Sequence, residues 1–251
     1  MTGLPEIVVQ AATALGLDPA GLRGLRGASG SSWAAGSAML RVGPRAALDR
    51  ELAASGAAAA VLPVPRVLDR ADFADHTALL LERLPGRPAG ELALGGPGPA
   101  RAAGLACGQV YHVLAGVAAP AGLRAAPGVP EPASGGPARL LHLDLHPLNL
   151  LVSDDGTEVT GVLDWANTHA GDPVLDRART WAILTLDPMA REAGALPSWA
   201  ALVEGWTETG RLGELPAAAR AWACKFMLAD LAGRYPPAGL AHVRRTLEQL
   251  A

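Results

Sequence analysis

His142, Asp144, Asn149 and Asp164 are the residues whose types and spacing could do chemistry together. They stand in the run His142-Leu143-Asp144-Leu145-His146-Pro147-Leu148-Asn149-Leu150-Leu151, followed by Gly161-Val162-Leu163-Asp164-Trp165, then Gly171-Asp172-Pro173 and Asp176. An acid two residues after a histidine, an amide five residues later and a second acid twenty residues beyond the first supply the groups that phosphoryl transfer needs. A carboxylate can orient and deprotonate a hydroxyl, while an asparagine and another carboxylate can hold Mg²⁺ on nucleotide phosphates. Taken singly, each residue also suits a cap, a turn or a solvated charge. Asp172 before Pro173, for instance, fits an N-cap with proline at the first helical position. The order and spacing of the whole set carry the reading.

The elements that must position these groups are short. Residues 139–143 and 150–152 are apolar runs, 154–156 read as a turn, and 158–163 alternates before running apolar. This predicts a loop followed by a β-hairpin, with Asp144 and Asn149 on the loop and Asp164 just past the second strand. Rigid strands would then gather three oxygen-bearing side chains around one point, as a magnesium site requires.

The stretch resembles the catalytic loop and metal-binding segment of the aminoglycoside phosphotransferase and choline kinase group, which shares the protein-kinase-like fold. That group carries roughly H-x-D-x-x-P-x-N, then a hydrophobic-D-W/F segment and G-D-P-x-x-D. The resemblance implies that Asp144 is the catalytic aspartate, Asn149 and Asp164 are magnesium ligands, and Asp176 is structural.

The resemblance extends into the first third of the chain. Residues 27–33, rich in Gly and Ser, sit where a kinase-like protein has its phosphate-covering loop, and Ser29, Gly30 and Ser31 would let backbone N–H groups approach phosphate oxygens. An ordinary turn has the same composition. The strand at 38–42 carries Arg41 where the group has a basic residue for the α and β phosphates, and the helix at 45–58 carries Glu51 where its partner glutamate lies. Protein kinases use lysine at that strand position. Arginine is a departure that keeps the charge and can grip a carboxylate with two parallel bonds, but it alters phosphate geometry. The alternative is a surface ion pair. Residues 80–86 resemble the hinge between kinase lobes, where backbone groups near Glu82 and Leu84 would meet an adenine edge; a strand ending in a Pro-Gly turn reads the same.

The remaining elements follow from periodicity. A helix is expected over 5–15, strands over 65–68 and 77–81 joined by a polar turn at 69–76, and a buried helix over 100–117 with His112 as a core histidine. Residues 118–138, rich in Pro, Gly and Ala, read as a loop in a region where relatives carry more helix. Helices are expected over 173–186, 199–209, 215–231 and 238–250. They carry Trp181, Trp199, Trp206 and Trp222 as core residues or, for some of them, as an apolar or sugar-stacking wall of the acceptor pocket, and Asp187, Glu204, Glu208 and Asp230 as solvent-facing charges or as groups for a cationic substrate.

Half of the 251 residues are hydrophobic but only 4% are aromatic, so alanine, leucine and valine must fill the core. The net charge of −3, without a long basic run, excludes a nucleic-acid partner, and no apolar stretch is long enough for a membrane span. The N-terminus lacks the pattern of a secretion signal, and Cys107 and Cys224 read as free thiols in a reducing cytoplasm. The expected architecture is α+β and bilobal: a small N-lobe with an antiparallel sheet (residues 1–84) that binds nucleotide, and a mostly helical C-lobe (residues 85–251) for catalysis and substrate. The resemblance implies transfer of the γ-phosphoryl group of ATP or GTP, with Mg²⁺, to a small-molecule hydroxyl, first of all on an antibiotic. Choline, homoserine or sugar kinases are the alternative within the group. A non-catalytic kinase-like nucleotide-binding protein and a metallohydrolase using His142 and His146 compete from outside it. The sequence leaves the acceptor, the choice of ATP or GTP and the oligomeric state open.

Overall fold

The computed structural model describes residues 4–24, 32–129 and 138–250. Ala38, Leu40 and Val42 are buried while Met39 and Arg41 alternate away from them, so the period of two in this stretch aims Arg41 away from the N-terminal core. The chain runs α1 (Glu6–Ala14), β1 (Arg23–Gly24), β2 (Ser32–Ala35), β3 (Ala38–Pro44), α2 (Arg45–Ala58), β4 (Val67–Phe73) and β5 (His76–Glu82). These strands form one antiparallel sheet in the order β1-β2-β3-β5-β4. Its core is small: Val8, Ala11 and Ala12 of α1 meet Leu22, Trp33, Leu40, Val42 and Ala78.

The second part runs β6 (Arg87–Pro88), α3 (Ala89–Leu92), α4 (Pro97–Leu114), β7 (Arg139–Leu141), β8 (Leu150–Val152), β9 (Val159–Val162) and β10 (His169–Gly171). It ends in α5 (Val174–Leu186), α6 (Pro188–Ala193), α7 (Pro197–Gly210), α8 (Ala217–Leu231) and α9 (Ala241–Leu250). The fold is therefore bilobal, an antiparallel N-lobe sheet over a mostly helical C-lobe. One large core fills the C-lobe and also takes in Ala54, Ala58 and Leu62 from the end of α2 and the loop beyond it. Alanine and glycine let helices approach closely there. A Cβ added to Gly104 of α4 would collide with the Leu202 carbonyl and the Trp206 N–H of α7, so the two backbones nearly touch. No described helix is long and apolar enough to cross a membrane. Cys107 and Cys224 are free and buried.

Several expectations change. The turn expected at 69–76 shrinks to Ala74 and Asp75, because β4 continues through Asp69, Arg70 and Asp72 to Phe73. Its polar residues lie on an exposed edge strand and form ion pairs, Arg70 with Asp49 and Asp72, so they need no loop to be solvated. His112 is exposed and bonds the Thr209 carbonyl through Nε2 at 2.8 Å. The buried face of α4 takes in Ala103, Gly104, Cys107, Gly108, Val110, Tyr111 and Leu114, and His112, one turn after Gly108, falls at its exposed edge beside the end of α7. Helix α6 was not foreseen. It is six residues long and starts at Pro188, with the Asp187 carboxylate accepting the Met189 N–H at 2.9 Å.

Candidate active site

The loop between β7 and β8 is fixed from below by α5. Asp176, in the first turn of α5, is buried and accepts the backbone N–H groups of His142 (3.0 Å) and Leu143 (2.6 Å). One turn later, Thr180 donates its hydroxyl to the Leu145 carbonyl at 2.7 Å. These bonds hold Leu143 in the left-handed region, with φ of 57°, a conformation that costs a branched residue on the order of 1–3 kcal/mol. Burial pushes the Asp176 carboxyl up to about 7, while the two N–H donors pull it back.

His142 links the two acidic segments. Its Nδ1 accepts the Asp144 N–H at 3.3 Å and its Nε2 donates to the Leu163 carbonyl at 2.9 Å, so one imidazole sets the spacing between the residue bearing the first acid and the residue before the second. Both ring nitrogens being used, the ring is neutral with its proton on Nε2; burial lowers its pKa further. The ring also lies against Trp165, centroids 4.7 Å apart, and the Trp165 indole donates to Val162 O at 3.1 Å.

Asn149 closes the loop. Its Nδ2 donates to the Asp144 backbone carbonyl at 3.0 Å and to Asp144 Oδ2 at 3.3 Å, and its own carbonyl accepts the Leu163 N–H at 2.8 Å. The amide oxygen of Asn149 is thereby turned away from Asp144 and is available as a metal ligand. Asp164 has φ of 56° just after β9, the second non-glycine residue of the site in the left-handed region. Arg41 of β3 grips Glu51 of α2 with Nε and Nη2, both at 2.9 Å, and its Nη2 reaches Asp164 Oδ1 at 3.4 Å. The Arg41 and Glu51 side chains are only 13% and 15% exposed, so this is no surface pair. Burial works against the Arg41 charge, yet the pairing with Glu51 and Asp164 raises its pKa.

Asp144, Asn149, Asp164, Arg41 and Glu51 are thus brought together. Ser29, Gly30 and Ser31 lie outside the described residues. Glu82 turns its carboxylate to Arg66 (2.8 Å) and its N–H to the Arg66 carbonyl (2.8 Å), away from the acids. Leu84 packs near Gly161 of β9, and its N–H donates no hydrogen bond among the described residues. The sequence reading missed the structural work of His142, His146 and Thr180; the first two stood in the quoted motif as histidines flanking the acid.

The acids considered for a cationic ligand are largely engaged. Glu204 and Glu208 pair with Arg101, Asp230 pairs with the buried Arg179, and Asp187 caps α6. Trp206 and Trp222 are core residues, while Trp181 and Trp199 are half-buried against that core.

Among the described residues no three His, Cys, Asp or Glu side chains form a metal cluster of their own. The amide oxygen of Asn149 and the carboxylate of Asp164 are nonetheless a donor set that suits Mg²⁺, which binds through one or two carboxylates and completes its shell with phosphates and water.

Residues 120–222, which hold the whole loop, hairpin and α5, match the phosphotransferase enzyme family. The architecture has solved counterparts. The aminoglycoside phosphotransferase APH(3'')-Id from Streptomyces rimosus superposes with a TM-score of 0.55 at 19% identity, over 84% of this chain and 99% of that one. The chain has the aminoglycoside phosphotransferase fold. APH(2")-IIa in its gentamicin complex gives a TM-score of 0.59 at 11% identity, covering 99% of this chain and 97% of the other. ADP-bound APH(2'')-Ib gives 0.57 at 12%, covering 98% of each. No curated protein matches the chain in sequence. Within this phosphotransferase fold the family match falls on the C-lobe floor of the site, whereas Arg41 and Glu51 lie outside it.

Proposed function

We propose that this protein is a small-molecule kinase that transfers the γ-phosphoryl group of ATP or GTP to a substrate hydroxyl. The observation that carries this reading is the junction of Asp144, Asn149 and Asp164 through one buried imidazole, with Arg41 above them. Asp144 accepts the proton of the acceptor hydroxyl through Oδ1, the oxygen that no described residue engages. As that proton leaves, the hydroxyl oxygen forms its bond to the γ-phosphorus and the bond to the β-phosphate bridging oxygen breaks, releasing the nucleoside diphosphate. Asn149 Oδ1 and the Asp164 carboxylate would hold Mg²⁺, which when bound would neutralise charge on the phosphates. Arg41, fixed by Glu51, steadies the α and β phosphates, together with the 29–31 segment. The adenine or guanine edge meets backbone near Glu82 and Leu84, where the Leu84 N–H supplies a donor. On this reading residues 1–84 bind nucleotide and 85–251 bind the acceptor.

The acceptor class we favour is an antibiotic, by analogy with the structural counterparts. A metabolite alcohol is the second reading, supported by the engagement of Glu204, Glu208 and Asp230 in ion pairs, which leaves fewer acids for a polycationic sugar. Activity is assigned to the cytoplasm, where the nucleotide is abundant.

The test is Asp144→Ala, assayed for nucleoside diphosphate release with Mg²⁺, ATP or GTP, and a panel of antibiotic and metabolite alcohols. The expected result is loss of transfer by at least about a thousandfold with nucleotide affinity kept. Wild-type rates in the variant would overturn the assignment.

A further inference from the structure

We infer that His146 is a positioning residue that holds Asp144 by its Oδ2 edge and so dedicates Oδ1 to the substrate hydroxyl. The inference rests on the phosphoryl-transfer reading for its consequence but on independent geometry for its premise. The Leu148 N–H donates to His146 Nδ1 at 3.2 Å, and the His146 carbonyl accepts the Asn149 N–H at 2.9 Å, so the turn 146–149 fixes both the ring and its tautomer. With Nδ1 an acceptor, the neutral ring carries its proton on Nε2. That nitrogen lies 3.8 Å from Asp144 Oδ2, the same oxygen that Asn149 Nδ2 reaches at 3.3 Å. Two N–H groups therefore converge on one oxygen of the carboxylate, and among the described residues none reaches the other.

At 3.8 Å the His146 contact is longer than a hydrogen bond, and contacts of this kind shorten when the reacting groups are in place. A neutral Nε2–H donor suits the task. It orients the carboxylate through Oδ2, and because Nε2 already bears a proton it cannot compete with Asp144 for the proton of the substrate hydroxyl. A relay in which His146 takes the proton from Asp144 is excluded by the same tautomer, since Nε2 has no free lone pair and Nδ1 faces Leu148.

Replacement by amides separates the two nitrogens. Glutamine places its amide nitrogen near the position of Nε2, whereas asparagine reaches only that of Nδ1. His146→Ala and His146→Asn are expected to lower kcat by roughly tenfold to a hundredfold with little change in nucleotide KM, and His146→Gln to recover most of it. Imidazole ¹⁵N spectra of the full chain, with the His146 resonance assigned by its loss in His146→Gln, are expected to show the Nε2–H tautomer at neutral pH. Equal rates in all four proteins, equal impairment of all three variants, or an Nδ1–H tautomer would each overturn the inference. The spectrum decides the premise without turnover. Failure of the Asp144→Ala test with the Nε2–H tautomer observed would sink the reaction assigned to the site and leave the geometry of His146 intact.

Discussion

The floor and the roof of the site are built by different means. The floor, from His142 to Thr180, is held by side chains that bond backbone: Asp176 to two N–H groups, His142 to residues 144 and 163, and Thr180 to residue 145. Each of these bonds fixes a peptide, and two of the fixed residues, Leu143 and Asp164, sit in the left-handed region. The roof is one side-chain pair, Arg41 with Glu51, reaching down to Asp164. Among the described residues its bonds run to side chains, those of Glu51, Asp164 and Ser32. A floor of this kind has few permissible substitutions, because changing a side chain frees a strained main chain; a roof made of an ion pair tolerates exchange of its members at a moderate loss. The end of α2 is also rooted in the C-lobe core through Ala54 and Ala58, so Glu51 is stationed by the floor's own lobe.

Asp176→Ala tests the floor most severely. It leaves two buried N–H groups without acceptors, each costing about 1–3 kcal/mol, and should lower unfolding free energy by about 3–5 kcal/mol in urea titrations and kcat by more than tenfold. A loss no larger than that of a surface substitution would erase the contrast between the two regions. Asp176→Asn probes the same carboxyl by pH. With a folded pKa of about 7 against an unfolded value near ~3.9, the folded state keeps a proton between these values that the unfolded state releases. This contribution to stability is complete below the unfolded value and is lost as pH rises towards 7. The wild type should therefore lose stability relative to Asp176→Asn between about pH 4 and 7, by on the order of 1.4 kcal/mol per unit, and hold a constant difference above. His142 acts with the opposite sign, since its depressed pKa gives stability above its ordinary value that is lost as pH falls, and it cancels in the comparison because both proteins carry it. A difference independent of pH would mean that the two N–H donors keep the carboxylate charged.

Arg41→Lys tests the roof. A lysine keeps the charge but loses the two parallel bonds to Glu51, so kcat/KM for the nucleotide should fall about tenfold while the urea midpoint stays near that of the wild type. A collapse in stability like that of Asp176→Ala would show that the roof is also structural.

The floor was legible in the sequence where residue types are restrictive. Asp144, Asn149 and Asp164 had to fall on a loop and at a strand end because apolar runs of three or four residues flank them, and the turn at 154–156 fixes the hairpin. What the sequence hid is pairing between distant short segments. Strand β7 pairs with β10 rather than with the hairpin, over three residues each, which is below the length at which alternation can be read. The extent of β4 was hidden for another reason. An edge strand whose apolar face reduces to the half-buried Ala71 and Phe73 offers little alternation to read, so its Asp-Arg-x-Asp run looked like a turn. His112 was readable in principle, since a 100° step per residue turns it away from Cys107 and Val110, but an alanine-rich helix shows apolar residues on every side and blurs its own stripe.

The smallest effect is expected at the end of β5, the proposed hinge. Arg66 pairs with Glu82 through Nε at 2.8 Å and Nη2 at 3.3 Å, a geometry resembling that of Arg41 with Glu51. The difference is exposure: the Arg66 side chain is 74% exposed, against 13% for Arg41. In water the attraction between the ions is screened and offset by the entropy of ordering a long side chain, so equal bond lengths do not imply equal worth. The Arg66 backbone carbonyl, which accepts the Glu82 N–H, is untouched by a side-chain change and keeps the end of β5 in place. Arg66→Ala should therefore leave the urea midpoint and the nucleotide KM within error of the wild type. A measurable rise in nucleotide KM, with the midpoint unchanged, would mean that the Glu82 side chain orients the hinge. The line between parts of the site that fix backbone and parts that only pair charges would then have to be redrawn to include it.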